Sequence, residues 1–256
     1  MQTWRLIQDG PQDGAWNMAV DRAVLAARAA GEAPATLRLY SWRVPTVTLG
    51  RFQSLDDVDM AYCRERGFDV VRRPTGGRGV LHDDEVTYSV AASLEDGMPR
   101  GVSASYRLLC GALAEAYRLL GVPAILTGRA RGEKAAGACY LHATHADLSL
   151  GAAKLSGSAQ VWDHHAVLQH GSFVRTRDAL AESQVFRLGE LGGKRLRSET
   201  ATLESAPAGP PAAAAITSAI CEAFETSLQI KLLPGVLSDT EISAAENLQE
   251  SFNLAE

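Results

Sequence analysis

The sequence has no long apolar run: no segment approaches the roughly 18 consecutive apolar residues that a membrane-spanning helix requires. Its first residues, MQTWR, lack the basic segment and apolar run of a secretory signal. Basic residues are not in excess, since 25 Lys and Arg stand against 30 Asp and Glu, for a net charge of −5. We therefore expect a cytoplasmic protein that binds neither membranes nor nucleic acids.

Cysteine is also scarce. The four cysteines, Cys63, Cys110, Cys139 and Cys221, are far apart, and none forms a CxxC pair. This spacing argues against a disulfide framework, so we expect reduced thiols. A buried, apolar side chain is the ordinary role of any single cysteine, and Cys110 and Cys221 fall in predicted helices with apolar neighbours. One of the four is a candidate nucleophile.

Histidine, by contrast, is concentrated in one part of the chain. Five of the six histidines lie within residues 142–170: His142, His145, His164, His165 and His170. A metal site is one alternative, but no zinc signature fits their spacing, and we expect no bound metal. A Cys–His–Asp triad that uses His142 or His145 with Asp147 stays open. His170, within LQHGS, is a candidate for lining a binding site.

The hydrophobic pattern predicts both helices and strands. The predicted helices are 16–30, 56–66, 103–120 and 216–228, with a last helix that Ser238 and Glu241 begin as a capping box. The predicted strands are 37–42, 46–49, 68–72, 85–92, 124–126, 148–150, 156–162, a segment from 166 onward, and 230–233. Residues 205–215 predict a linker or loop. This order of elements indicates an α+β fold.

A glycine-rich segment, RRPTGGRGVLHD at residues 72–83, lies between two predicted strands. Its glycines allow the backbone to approach a ligand closely, and their N–H groups can converge on a carbonyl, carboxylate or phosphate. A hairpin turn with solvated arginines is the alternative, and the pattern is not a P-loop. The candidate substrate-binding residues here are Arg73, Thr75, Gly76, Gly77, Arg78, Gly79 and His82.

A second candidate segment runs from Cys139 to residue 160. Small residues precede Cys139, and a nearby cation such as Lys154 would favour its thiolate. A solvated surface lysine is the ordinary alternative for Lys154. Gly157, Ser158 and Ala159 suit a groove that holds an extended chain. The basic stretch at residues 127–134 is either a docking surface for an acidic partner or a solvated loop.

Together these segments resemble the family of biotin ligases, lipoate–protein ligases and octanoyltransferases, over most of the chain. The matching segments are DGPQDGAWNMAVD at residues 9–21, RRPTGGRGVLHDDEVTYS at 72–89, KLSGSAQ at 154–160 and LQHGS at 168–172. Within the family, the sequences of these motifs are most similar to those of the cysteine-dependent octanoyltransferases of the LipM type. Arg22, where an acidic residue is usual, and Tyr140, where phenylalanine is typical, depart from the pattern, as do the two histidines of residues 141–147.

The resemblance implies a single catalytic domain over residues 1–256, a mixed β-sheet packed with helices, with a helical C-terminal part from about residue 205 to 256. It implies that Cys139 is the nucleophile and that Lys154 contacts the acyl carbonyl. It further implies transfer of octanoyl from acyl-carrier protein to a lipoyl-domain acceptor, such as the glycine cleavage H protein, without a cofactor. We expect a monomer. An ATP-dependent lipoate ligase, an amidotransferase between lipoyl domains and a non-catalytic lipoyl-domain-binding protein stay open as alternatives.

Overall fold

A computed structural model describes residues 1–126 and 147–254. Within them the α-helices are α1 (Gly14–Ala29), α2 (Met60–Arg66), α3 (Val102–Leu119), α4 (Ala179–Val185), α5 (Gly189–Glu199), α6 (Ala213–Leu228) and α7 (Asp239–Phe252). The strands are β1 (Gln2–Gln12), β2 (Thr36–Trp42), β3 (Thr46–Leu49), β4 (Asp69–Arg72), β5 (Val80–His82), β6 (Glu85–Ser93), β7 (Ile125–Leu126), β8 (Leu148–Leu150), β9 (Ala153–Ser156), β10 (Ser158–Asp163), β11 (Ala166–Val174) and β12 (Ile230–Pro234).

A six-stranded mixed sheet forms the centre of the molecule, in the order β10-β11-β6-β2-β1-β12. β12, β1 and β2 run parallel to one another, whereas β6 pairs antiparallel with both β2 and β11. Two three-stranded sheets, β4-β3-β5 and β7-β8-β9, lie beside it. The predicted α+β fold with a mixed sheet packed by helices is confirmed.

Helices cover both faces of the central sheet. Leu113 of α3 and Phe224 of α6 pack with Tyr88 of β6 in the largest apolar cluster. On the other side, α1 and α7 pack against each other, and Val20 and Ala245 are fully buried there. Ser238 begins α7 with the predicted capping box, since its side chain accepts from the Glu241 N–H and the Glu241 carboxylate accepts from the Ser238 N–H.

Several element boundaries differ from the sequence-based predictions. The predicted strand 156–162 is divided at Gly157, so that β9 and β10 belong to different sheets. The predicted helix 56–66 is a short 3-10 turn, Leu55–Asp57, followed by α2. The predicted loop 205–215 ends early, because α6 begins at Ala213. β1, α4 and α5 are not among the predicted elements.

The central sheet presents two chemically different faces, because successive side chains of a strand point to opposite sides. On β6, Val86, Tyr88 and Val90 belong to the apolar cluster under α3 and α6. The residues between them, Thr87 and Ser89, are buried as well but polar. The opposite face of β2, β6 and β11 is therefore a buried polar surface, which we call the polar face; it carries Arg38, Tyr40, Trp42, Glu85, Thr87, Ser89, His170 and Ser172.

No helix in the described residues is both long enough and apolar enough to cross a bilayer.

Candidate active site

A cavity of about 140 Å³ lies over the polar face. Its apolar lining comes from Met18, Tyr40, Trp42 and Val80, and its polar lining includes Thr48, Arg73, His82, Thr87, Asp147, Ser158, His170 and Ser172. Three glycines and one alanine also reach it: Gly77, Gly157, Gly171 and Ala159. An apolar space with a few converging polar groups suits a ligand with a hydrocarbon chain and a polar head.

Asp21 of α1 is the centre of one buried network beneath this cavity. Its carboxylate accepts hydrogen bonds from Arg38 at 3.0 Å, Ser89 at 2.8 Å and Tyr40 at 3.1 Å, and lies 2.9 Å from Nδ1 of His170. Burial alone would raise the pKa of Asp21, but the hydrogen bond from His170 and the charge of Arg38 hold it below its ordinary value. Asp21 is therefore a buried carboxylate, fully compensated by donors.

Burial has the opposite consequence for two neighbours of Asp21. Burial is the largest influence on the pKa of His170 and lowers it, so the imidazole is neutral near pH 7. Burial, and then the Asp21 charge, raise the pKa of Tyr40 well above its ordinary value, so its hydroxyl stays protonated and donates. The His170 ring therefore carries its single N–H on Nδ1, because the Asp21 carboxylate can only accept.

Glu85 organises a second buried network on the same face. Its Oε1 lies 2.8 Å from His82 Nδ1 and accepts from Ser172 at 2.7 Å and Trp42 at 3.1 Å. Burial alone would raise the pKa of Glu85. The electrostatic interaction and the hydrogen bond with His82 outweigh burial and bring that pKa below its ordinary value. The Trp42 ring stacks on His82 with 4.3 Å between ring centroids, which fixes the indole as an apolar wall of the cavity.

The glycine-rich segment forms a loop against the end of β3, and its shape depends on glycine at two positions. Gly77 adopts φ +95°, a left-handed conformation that other residues rarely adopt. A Cβ on Gly50 would lie 2.0 Å from the Gly77 carbonyl oxygen, so only glycine lets these two backbones touch. Gly77 and Arg78 face the cavity, whereas Gly79 packs against the Phe186 ring.

A buried ion pair stands beside the other wall of the cavity. Nζ of Lys154, on β9, lies 2.9 Å from Oδ2 of Asp147, and both side chains are almost wholly buried, at 7% and 2% exposed. The alternative interpretation of Lys154, as a solvated surface lysine, is therefore wrong, because its side chain is buried together with its carboxylate partner. Asp147 also lines the cavity, which places the pair at the edge of the cavity.

The β10 edge that completes this wall is held from outside by a tyrosine. The Tyr106 hydroxyl of α3 donates to the Ser158 carbonyl at 2.9 Å and accepts from the Ser158 N–H at 3.1 Å. Both backbone groups of Ser158 are thereby satisfied without a neighbouring strand, which is how an edge strand avoids unpaired groups. The Ser158 hydroxyl lies 2.6 Å from that of Tyr88. Gly157, Ser158 and Ala159 are therefore fixed in position.

The cysteines of the described residues are poor nucleophiles. Burial raises the pKa of the Cys63 and Cys221 thiols to about 11 and that of Cys110 to about 12, so all three stay protonated near neutral pH. Cys139 lies outside the described residues, and so do His142, His145 and the basic stretch at 127–134. His164, in the turn between β10 and β11, is exposed and is not one of the residues that line the cavity. Residues 1–126 and 147–254 hold no cluster of three metal-ligating side chains.

Eight of the eleven candidate substrate-binding residues lie on the cavity lining: Arg73, Gly77, Arg78, His82, Gly157, Ser158, Ala159 and His170. Thr75, Gly76 and Gly79 stand behind them in the same loop. Sequence reasoning did not name seven further lining side chains, namely Met18, Tyr40, Trp42, Thr48, Val80, Thr87 and Ser172. For the strand residues the available signal was alternation, since Tyr40 and Trp42 of β2 and Thr87 of β6 occupy the positions that alternate with apolar core residues.

Comparison with known proteins agrees with this architecture. Residues 13–225 match the model of the lipoyl protein ligase A/B catalytic domain. The chain superimposes with a TM-score of 0.82 on a crystal structure of lipoate-protein ligase A bound with ATP, at 23% identity, covering 98% of this chain and 95% of that one. A structure described as a lipoate protein ligase from T. acidophilum with bound lipoic acid gives a TM-score of 0.80, also at 23% identity, covering 98% and 96%. The fold is thus that of the lipoate-protein ligases.

Sequence identity to relatives named as octanoyltransferases is higher. The chain is 39% identical to octanoyltransferase LipM of Kyrpidia tusciae, over 98% of this chain and 97% of the relative. It is 37% identical to octanoyltransferase LipM of Moorella thermoacetica, over 100% and 97%. The protein belongs to the lipoyl protein ligase A/B catalytic-domain family.

Proposed function

We propose that the protein is an octanoyltransferase of lipoate biosynthesis, which moves octanoyl from acyl-carrier protein through a thioester on Cys139 to a lysine of a lipoyl-domain protein. The observation that carries this proposal is the end-to-end similarity to octanoyltransferases named LipM, at 39% identity over 98% of the chain. The cavity supports it, because an apolar space with a polar head region suits a medium-length acyl chain.

The reaction would proceed in two acyl transfers. The Cys139 thiolate attacks the carbonyl carbon of the octanoyl thioester, the new C–S bond forms, and the carrier thiolate leaves and takes up a proton. The lysine amine of the acceptor then attacks the Cys139 thioester. An amide C–N bond forms, the Cys139 sulfur leaves as a thiolate, and the nitrogen loses a proton. No ATP or other cofactor is required, because a thioester is already activated.

Lys154 supplies the positive charge in this mechanism. Its ammonium group is held at the cavity edge by Asp147, 2.9 Å away, in a position from which it would contact the acyl carbonyl and favour the Cys139 thiolate. In a site shielded from water this charge acts more strongly than on the surface. Backbone N–H groups of the glycine-rich loop are further candidates for binding the carbonyl oxygen.

The remaining candidate residues would bind the acyl chain and its head. Arg73, Thr75, Gly76, Gly77, Arg78 and Gly79 form the loop on one side, and Gly157, Ser158 and Ala159 form the strand edge on the other. His82 and His170 contribute the surfaces of their rings. The acyl-carrier protein and the lipoyl-domain acceptor, such as the glycine cleavage H protein, would deliver and receive octanoyl at the open side, with the stretch 127–134 as a candidate contact.

Intact-mass spectrometry tests the proposal. The protein is incubated with octanoyl-acyl-carrier protein without ATP, and the Cys139→Ala variant is the matched control. We expect an octanoyl adduct on the wild type only, which disappears when a lipoyl-domain acceptor is added. An ATP-dependent ligase would instead need ATP and free octanoate and would tolerate Cys139→Ser. An equal adduct on Cys139→Ala would contradict the proposal.

A further inference from the structure

Two hydrogen-bonded chains with the same chemical order run beneath the cavity and end at the same arginine. In one, the carboxylate of Asp21 is followed by His170 and then by Thr75. In the other, Glu85 is followed by His82 and then by Thr48. Both threonine hydroxyls contact the guanidinium of Arg73. The repetition is unexpected, because the two chains come from different strands and loops.

The direction of the hydrogen bonds in the first chain follows from what each group can donate. Nδ1–H of His170 donates to Asp21, so Nε2 of the neutral ring can only accept. The Thr75 hydroxyl, 2.7 Å from Nε2, must therefore donate to it. The Thr75 oxygen is left as an acceptor, and Nε of Arg73 donates to it at 3.2 Å. Both ring nitrogens of His170 are thus occupied.

The second chain has the same order of partners. Nδ1 of His82 lies 2.8 Å from Glu85 and Nε2 lies 2.9 Å from the Thr48 hydroxyl. Nη1 of Arg73 donates to that hydroxyl and to the Thr48 carbonyl, each at 3.2 Å. Both ring nitrogens of His82 are therefore hydrogen-bonded within the protein, although its ring lines the cavity.

Arg73 connects both chains to the glycine-rich loop. Its Nη2 donates to the carbonyl oxygens of Gly76 at 2.7 Å and Arg78 at 2.8 Å. These two carbonyls flank Gly77, whose left-handed backbone brings the loop to the cavity. A planar guanidinium presents its five donors in a fixed fork, so the orientation that the two threonines impose on Arg73 is passed to the loop.

We propose that His170 and His82 are positioning residues: each orients a threonine hydroxyl that fixes Arg73, and Arg73 holds the glycine-rich loop in its cavity-lining shape. Neither imidazole has a nitrogen left for the substrate. The proposal assigns the ring nitrogens a role other than hydrogen bonding to the substrate, and its activity readout rests on the octanoyl transfer proposed above.

A double-mutant cycle on the first chain tests the proposal. Thr75→Val removes the hydroxyl with little change of shape, and His170→Ala removes the ring. We expect each to lower kcat/KM for octanoyl transfer by roughly tenfold, and the double variant to lose hardly more than either one, because coupled residues of one network are not additive. Independent, multiplying losses would mean that His170 acts on the substrate directly and would overturn the proposal.

Two further variants separate the hydroxyl's role from a general loss of packing. Thr75→Ser keeps the hydroxyl and is expected to restore most of the activity that Thr75→Val loses. Thr226→Val, on the exposed surface of α6 where the hydroxyl donates to the Glu222 carbonyl of its own helix, is the matched control and should behave as the wild type. The second chain offers the same comparison with Thr48→Val and Thr48→Ser. Failure of both serine variants to rescue would refute the role of the hydroxyls.

A readout independent of activity keeps this inference distinct from the proposed function. Hydrogen exchange of the amides of residues 76–79 reports the loop directly. We expect faster exchange in Thr75→Val and in His170→Ala, without a further increase in the double variant. Unchanged exchange in both would contradict the positioning role even if octanoyl transfer is demonstrated. Faster exchange in a protein that forms no Cys139 adduct would support the positioning role while refuting the transferase.

Discussion

The Lys154–Asp147 pair allows folding and chemistry to be separated. Replacing Lys154 with Met removes the cation at nearly constant volume and leaves Asp147 buried without its ammonium partner. Across 2.9 Å the attraction of two unit charges is about 6 kcal/mol at an effective dielectric constant of 20. Much of this is offset by desolvation, and removal of one partner of a buried pair typically costs about 3–5 kcal/mol. We therefore expect Lys154→Met to lower the melting temperature by roughly 6–20 °C.

The double variant Lys154→Met/Asp147→Asn distinguishes the two roles. With both charges gone, the buried-charge penalty is relieved, and most of the lost melting temperature should return. Octanoyl transfer should not return, because the cation that we propose acts on the thioester is still missing. The assays are thermal unfolding followed by circular dichroism and formation of the octanoyl adduct on Cys139. A stable double variant that forms the adduct at the wild-type rate would refute the role of Lys154 in the chemistry.

Three other predictions concern stability and the shape of the cavity wall. Burial lowers the folded-state pKa of His170 below 6.5, so the unfolded chain binds the proton more readily than the folded chain. The free energy of unfolding should therefore fall as the pH drops below about 6.5, by up to about 1.4 kcal/mol per pH unit for this group. Melting curves of the wild type and of His170→Gln check this, and a flat wild-type profile between pH 7 and 5 would contradict it. Tyr106→Phe leaves the Ser158 N–H and carbonyl without their partner and should raise KM for the octanoyl donor more than it lowers kcat, which steady-state kinetics measure; equal effects on both would argue against a positioning role. Gly171→Ala would place a Cβ 2.7 Å from the Gly157 carbonyl oxygen and push β10 from β11, so we expect at least about 1–3 kcal/mol of destabilisation in chemical denaturation, and an unchanged midpoint would show that the strands separate freely.

Much of the fold could be predicted from the sequence because local patterns were strong. The alternation in 85–92 predicts β6, and the apolar stripe of 103–120 predicts α3; both lie within one or two residues of the observed bounds. β1 was missed because its two buried side chains, Trp4 and Ile7, lie three positions apart and give no period-two pattern. Its place between β2 and β12 is set by contacts with distant strands.

The candidate site was predictable as segments but not as a network. The glycine-rich motif and KLSGSAQ both reach the cavity, since each motif is contiguous and chemically distinctive. Asp21 and His170 are 149 positions apart, and their 2.9 Å contact depends on the register of β11 with β6 and on the packing of α1. Sequence spacing holds no information on such a pairing.

The central claim, that Cys139 carries octanoyl as a thioester, is tested most directly by the mass of the intact protein. After incubation with octanoyl-acyl-carrier protein in the absence of ATP, the account predicts a mass increase of one octanoyl group on the wild type, mapped by proteolysis to Cys139. Addition of a lipoyl-domain acceptor should move that mass to the acceptor's lysine. An unmodified wild type that nevertheless octanoylates the acceptor, or an adduct that maps to another residue, would contradict the account.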